Sequence, residues 1–412
     1  MTGFFSSRWV DRPAHVSERL RGLPAGFRAA GVACGLKPGG DRDLGLLVCD
    51  GPEPASAARF TRSGVLAAPV LVCQEACDLT ALRAVAANAG NANAATGAPG
   101  LEAAWAMQRE AARVAGVEPE ACAVASTGVI GVLLDTERVT RGLRAAAGEL
   151  RPDGEGDIAE AIRTTDITRK AASLAVQLPS GTVRLTAQAK GAGMISPAFA
   201  TLLCFVQTDA VLTPETCDLL LGVCVKRSFD RISVDGQLST NDTALLMASG
   251  ASGVRIEPES EDELRLGEAL DALLRQLALM MVADGEGAAR VGRVVVRGGS
   301  LEAVERTARA VADSPLVKTA LNGADPNWGR IAQAAGAALP GTAPLALDIA
   351  IEGVTVCTGG AAVPHDPAAL GAAISRPEVE YEVGLPGEGA EAELFFSDLG
   401  HGYVTVNADY TT

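Results

Sequence analysis

The chain reads as a mixed α/β (α+β) protein with many short strands and roughly nine helices. Three observations predict this. Alternating and continuous apolar runs mark strands, while capped segments with apolar residues three and four apart mark helices. At 412 residues the chain is long enough for two cores. With 48% hydrophobic but only 4% aromatic residues, those cores must be built from Ala, Val and Leu.

Charge and cysteine usage exclude several function classes. Thirty-five basic against 50 acidic residues give a net charge of −15. So acidic a chain will not neutralise phosphates, which argues against nucleic acid and anionic membrane as partners. The nine cysteines are scattered, and Cys73 and Cys77 lack zinc or redox spacing. His15, His365 and His401 are the only histidines, so no Cys–His cluster forms and no metal is expected. Reduced thiols, no apolar signal region and no membrane-length apolar run make a cytoplasmic location the expectation.

Taken in order, residues 1–25 carry no clear period and read as a variable extension. Residues 33–37 and 44–49 predict a hairpin, and 60–73 hold two more apolar runs. Asp78 caps a helical pattern with Leu79, Leu82, Val85 and Ala86 on one face, ending in the amide-rich NAGNAN of residues 88–93. A helix at 101–115, a strand at 121–126 and a helix capped by Asp135 follow. In residues 182–190, Val183, Leu185, Ala187 and Ala189 alternate with polar residues, as in a half-buried strand. Gly191, Gly193 and Pro197 break it, and residues 201–206 resume as a strand buried on both faces. Thr213 with Pro214 starts a helix filled by Leu219, Leu220, Val223 and Val225. Ser239 and Asp242 are spaced as a variant capping box for a helix ending at Gly250. Residues 250–259 are the best boundary, before a long helix capped by Ser260 and Glu263 and carrying Leu264 to Met281. Strands at 294–297, 346–351, 381–385 and 394–396 then alternate with helices near 301–312 and 328–338.

Three places carry candidate chemistry. Thr201 opens a core strand behind a tight glycine loop, which fixes and shields its hydroxyl. Thr127 and Gly128, at a strand end, can offer a hydroxyl and an unhindered N–H to an oxyanion. Glu286, held between two glycines just past a helix end, is placed to bind a cationic amine, at a position the helix dipole disfavours. Each also has a plain structural reading: a glycine hairpin, a strand-to-turn junction and a solvated acidic loop.

The segment KGAGMISPAFATLL (residues 190–203) resembles the cleavage and nucleophile segment of the ornithine acetyltransferases (glutamate N-acetyltransferases) of arginine biosynthesis. Further blocks follow the family's order: residues 88–97, 126–131, 163–170, 228–243, 283–287, 316–330 and 401–412. The resemblance implies two stacked sheets sandwiched between helical layers, N-terminal-nucleophile-like, with a second, smaller α/β domain. It also implies self-cleavage between Ala200 and Thr201 into an α chain (26–200) and a β chain (201–412), assembled as a heterotetramer. Within the β chain, 201–250 would complete the first core and 259–412 form the second domain. Carried over residue by residue, Thr201 is the nucleophile, Thr127 and Gly128 the oxyanion hole, and Thr165, Glu286, Asn407 and Thr412 contact substrate. Ala192, Ala198, Phe199, Cys204, Gln207 and the run 133–135 depart from the family pattern; these positions are expected to line the acyl pocket and so bear on the acyl group and acceptor more than on the reaction type.

Free threonine is a poor nucleophile, and no histidine is placed to activate it. The α-amine released by cleavage, with an ordinary pKa of about 7.7–8.0, suits a base at neutral pH. The expected reaction moves acetyl from N2-acetyl-L-ornithine to L-glutamate through acetyl-Thr201, with Lys190 and Glu286 holding the carboxylate and amine ends. No cofactor is required, and acetyl-CoA is an alternative donor. Two rivals stay open: an N-terminal-nucleophile amidohydrolase resembling a β-aminopeptidase, and an uncleaved, non-catalytic binding protein.

Overall fold

The structure is a computed structural model that describes residues 3–19, 21–196, 202–387 and 389–409. Ala200, Thr201 and Thr412 lie outside the described residues. In chain order the first half forms strands β1 (Val16–Arg19), β2 (Phe27–Val32), β3 (Leu44–Cys49) and β4 (Ala55–Phe60). Helix α1 (Ala68–Ala76), β5 (Ala84–Asn91), α2 (Gly97–Ala115), β6 (Cys122–Val129), α3 (Thr136–Gly148) and α4 (Glu155–Ala161) follow. Then come β7 (Lys170–Leu178), β8 (Gly181–Lys190), β9 (Leu203–Thr208), α5 (Pro214–Arg227), β10 (Ile232–Ser233) and β11 (Thr243–Ala248).

Two of the three sheets stack. The six-stranded one runs β1-β7-β8-β9-β11-β4 and the four-stranded one β2-β3-β5-β6. Within β9, Leu203 and Phe205 join the core shared with the four-stranded sheet, while Cys204 and Val206 face the core under α5. Burial on both faces is why this strand is a continuous apolar run. Helices α1, α2 and α3 cover the outside of the four-stranded sheet. On the far side, α5 and the 23-residue α6 (Glu261–Ala283) cover the six-stranded one. Ser260 caps α6 by accepting from the Glu263 N–H at 3.1 Å.

Beyond α6 the chain builds β12 (Val291–Arg297), α7 (Leu301–Asp313), α8 (Pro315–Asn322), α9 (Trp328–Ala338), β13 (Asp348–Ile351) and β14 (Val354–Thr358). It closes with β15 (Ala361–Ala362), α10 (Pro367–Ile374), β16 (Glu378–Gly384), β17 (Glu391–Ser397) and α11 (His401–Asp409). The third sheet is seven-stranded, β10-β17-β12-β16-β13-β14-β15, with α7 packed on it and α6 touching β12 and β17. All nine cysteines are free thiols.

Several sequence expectations need correction. Eleven α-helices are present among the described residues, against roughly nine expected. The first hairpin strand is 27–32, and 33–37 is a loop: the Asp43 carboxylate accepts from the N–H groups of Cys34, Gly35, Leu36 and Lys37. Residues 60–73 hold the end of β4 and most of α1, whose Pro69 suits a first turn. Asp78 starts a turn onto Thr80, and the run expected as a helix is β5, flanked by β3 and β6. Asp242 caps nothing, since residues 243–248 are β11. Leu219, Val223 and Leu264 are exposed and do not fill the helices assigned to them. The block at 316–330 spans the end of one helix and the start of the next, α8 and α9, where only the helix near 328–338 was expected. The N-terminal stretch is tied down, with β1 paired to β7 and Trp9 against Phe395.

Candidate active site

Lys190 ends β8 in one sheet and Thr127 stands near the end of β6 in the other. Their side chains meet where the sheets converge, with Lys190 Nζ donating to Thr127 Oγ1 at 3.0 Å. The ammonium occupies an acceptor position of the hydroxyl, which leaves the Thr127 O–H to donate elsewhere. Gly128 follows at φ 131°. A Cβ there would lie 2.4 Å from the backbone carbon of Gly90, so only glycine lets β5 and β6 run this close.

The asparagines of residues 88–93 shape this end of the sheet. Asn88 accepts from Ser126 at 2.6 Å and donates to the Asn91 carbonyl at 2.9 Å. Asn91 in turn donates to the carbonyl of Val132, holding the loop after β6. These amides belong to a strand end, where the sequence suggested a helix terminus.

The opposite wall comes from the loop after α6. The Glu286 N–H donates to Ala192 O at 2.9 Å, which lays the carboxylate over Gly193. A Cβ on Gly193 would stand 2.7 Å from that carboxylate, so any larger residue would push the Glu286 side chain out of this place. From α11, Asn407 Nδ2 donates to Glu286 Oε2 at 2.7 Å. Thr164 and Thr165 add a further side. The resulting cavity of about 170 Å³ is lined by Thr127, Gly128, Thr164, Thr165, Lys190, Glu286 and Asn407, among others. Glu286 is buried, not the solvated loop carboxylate of the plain reading.

Burial controls the electrostatics. It lowers the Lys190 pKa from the ordinary lysine value, against the pull of Asp166 and Asp242. Burial also opposes ionisation of Asp166, but the cations Lys170 and Lys190 outweigh it and hold the carboxyl at about 2. Tyr403, which also lines the cavity, is pushed up to about 12 by burial and by Asp235.

The structure thus gathers Thr127, Gly128, Thr165, Lys190, Glu286 and Asn407 from five separate stretches into one cavity. Two aspartates support the segments beside the cavity. Asp235 accepts from the N–H groups of Met194 and Ile195 at 2.6 and 3.0 Å, anchoring the loop that follows β8. Asp242 Oδ1 accepts from the Leu202 N–H at 2.8 Å, and burial raises its carboxyl well above the usual range. Of the departures from the family pattern, Cys204 packs in the core and Gln207 bonds to Gln188, so neither lines the cavity. Among the described residues no cluster of three or more His, Cys, Asp or Glu is placed to hold a metal ion.

A cation, a hydroxyl, an unhindered N–H and a carboxylate around a small cavity suit an amino-acid-sized ligand with an amine and a polarisable carbonyl. The ArgJ family model matches residues 28–412. The arginine biosynthesis bifunctional protein ArgJ of Thermobifida fusca is 40% identical over 390 residues, covering 94% of this chain and 99% of that one. Its counterpart in Rhodopirellula baltica is 42% identical over 397 residues, covering 95% and 96%. A solved ornithine acetyltransferase from Mycobacterium tuberculosis, complexed with ornithine, is 36% identical with a TM-score of 0.41, covering 46% of this chain and 98% of that one. The match over nearly the whole chain settles its kinship: this chain belongs to the ArgJ family.

Proposed function

We propose that this chain is an ornithine acetyltransferase of arginine biosynthesis, moving acetyl from N2-acetyl-L-ornithine to L-glutamate. The observation that supports it best is the meeting of Thr127, Lys190 and Glu286 in one amino-acid-sized cavity. In this reading Thr201 Oγ first attacks the Ala200 carbonyl, shifting the acyl group from nitrogen to oxygen. Water hydrolyses that ester, leaving an Ala200 carboxylate and a free Thr201 amine.

The amine then takes the Thr201 hydroxyl proton as Oγ attacks the acetyl carbonyl. The C–N bond breaks, the proton passes to the leaving nitrogen, and ornithine departs. Glutamate's neutral amine attacks the acetyl ester, the C–Oγ bond breaks, and the Thr201 amine relays the attacking nitrogen's proton to Oγ, so N-acetylglutamate leaves and the threonine hydroxyl is restored. Thr127 O–H and Gly128 N–H hold the oxyanion of each tetrahedral intermediate, and the Lys190 ammonium on Thr127 Oγ1 strengthens that donor. This gives Lys190 a task beside the carboxylate contact expected from sequence. Glu286, steadied by Asn407, takes the amine end of the substrate, with Thr165 and Thr412 as further contacts.

The proposal extends to residues 26–200 and 201–412 as the α and β chains of a cytoplasmic heterotetramer that needs no cofactor, with acetyl-CoA as an alternative acetyl donor. The test is ornithine release from N2-acetyl-L-ornithine with and without glutamate. Release that depends on glutamate and yields N-acetylglutamate is expected. Equal release into water alone would replace the transferase by an amidohydrolase.

A further inference from the structure

Behind the cavity lies an ion triad that the reaction does not use. Lys170, the first residue of β7, is fully buried and places Nζ 2.7 Å from Asp166 Oδ1 and 2.5 Å from Asp284 Oδ2. Each carboxylate also grips backbone at the site. Asp166 Oδ1 accepts from the Gly191 N–H at 2.7 Å, one residue beyond Lys190, and Oδ2 accepts from the Thr164 N–H at 3.2 Å. Asp284, two residues before Glu286, accepts through Oδ2 from the N–H groups of Ile167 and Thr168 at 3.0 and 3.1 Å.

Three elements that carry substrate contacts therefore share one buried cation. They are the Thr164–Thr165 loop, the Lys190 end of β8 and the Glu286 loop. A buried ion group of this kind is weak support for stability, because desolvation cancels much of its Coulomb energy. It does fix geometry, since each member is held at one place by several directional bonds.

We propose that Lys170, Asp166 and Asp284 form a positioning clasp that sets the Glu286 loop in register with Lys190 and Thr165, and so governs how tightly the amino-acid substrate is held. Asp166 and Lys170 precede the cleavage bond of the proposed function and Asp284 follows it. The clasp thus joins the two chains once that bond is cut. This inference rests on the acetyltransferase reading.

The test compares wild type with Asp284→Asn and Lys170→Met as purified, full-length-expressed proteins. Asparagine keeps an oxygen for the Ile167 and Thr168 N–H groups and for Lys170, but removes the negative charge that pairs with the ammonium. Asp284→Asn should therefore raise KM for N2-acetyl-L-ornithine about tenfold, with kcat within about threefold of wild type and an unchanged urea midpoint. That tenfold follows from weakening the Lys170 bond when its acceptor is no longer ionised. Lys170→Met should raise KM at least as far, and the double variant no further than Lys170→Met alone, because Asp284 acts through Lys170.

If Lys170→Met does not fold, Asp284→Asn alone decides. An active wild type with unchanged KM in a folded Asp284→Asn, or a fall in kcat with KM unmoved, overturns the clasp and leaves the proposed function standing. A wild type that releases no ornithine overturns the proposed function, and the clasp's role with it.

Discussion

The ammonium of Lys190 lies 3.0 Å from the hydroxyl oxygen of Thr127, so a buried hydrogen bond in the cavity wall joins the two stacked sheets. This pair ties the fold to the chemistry. In the proposed reaction it supplies a polarised hydroxyl to the acyl oxygen as charge gathers there. Thr127→Val, which keeps the shape and removes the O–H, should lower kcat on the order of 10²-fold with a small change in KM. Steady-state kinetics on cleaved protein check this, and an unaltered kcat would remove Thr127 from the oxyanion hole.

Glu286 and Asn407 should behave differently from that pair. Their 2.7 Å hydrogen bond holds a carboxylate that, in this account, meets the substrate's amine in ground and transition states alike. Asn407→Ala should raise KM for acetylornithine about tenfold and leave kcat nearly unchanged, as expected when uniform binding is lost. Glu286→Gln should raise KM further by removing the charge. Isothermal titration with L-ornithine gives an independent reading of the same losses.

Gly193 makes a steric prediction. Its missing side chain leaves room for the Glu286 carboxylate, which would stand 2.7 Å from any Cβ. Gly193→Ala should displace the carboxylate and weaken substrate binding at least tenfold, while the urea midpoint falls by no more than an ordinary loop substitution. Gly128→Ala is harsher, since its Cβ would meet β5 backbone at 2.4 Å. That variant should lose thermal stability as well as activity in a thermal-shift assay.

Acid should weaken the structure partly through Asp166. Its folded pKa, about 2, lies below the ordinary value of 3.8. A depressed carboxyl contributes stability that is fully present above pH 3.8 and is lost as pH falls through about 2. The stability gap between wild type and Asp166→Asn in urea titrations should therefore be constant from pH 7 to about 5 and shrink below about pH 4. A gap that widens on acidification would reverse the sign and contradict the assignment.

Much of the molecule was legible in sequence where local pattern and final environment agree. Strand β9 reads as the doubly buried run it is. Strand β8 alternates as a half-buried strand would, yet is buried on both faces from Leu185 on, because Thr186 and Gln188 bond inside the protein to Ser173 and Gln207. Ser260, Asp135 and Thr213 each cap the helix they announce. Strand β5 was misread because its run of Ala and Val carries no period, and only its place between β3 and β6 makes it a strand. Asp242 was misread for a related reason: its partner, the Leu202 N–H, is 40 residues away. The resemblance named Thr127, Gly128, Thr165, Glu286 and Asn407 one by one, and only the structure gathers them with Lys190 into one cavity. Nothing in local spacing brings Thr127, Lys190, Glu286 and Asn407 together, since sheet stacking and the loop after α6 do that.

The account turns on whether Thr201 is unmasked. A denaturing intact-mass spectrum of the purified protein tests this most directly. Two fragments are expected, residues 1–200 and residues 201–412, with Thr201→Ala remaining whole and inactive. A single species of 42.0 kDa, unchanged over days at neutral pH, would contradict the N-terminal nucleophile and leave a binding protein in its place.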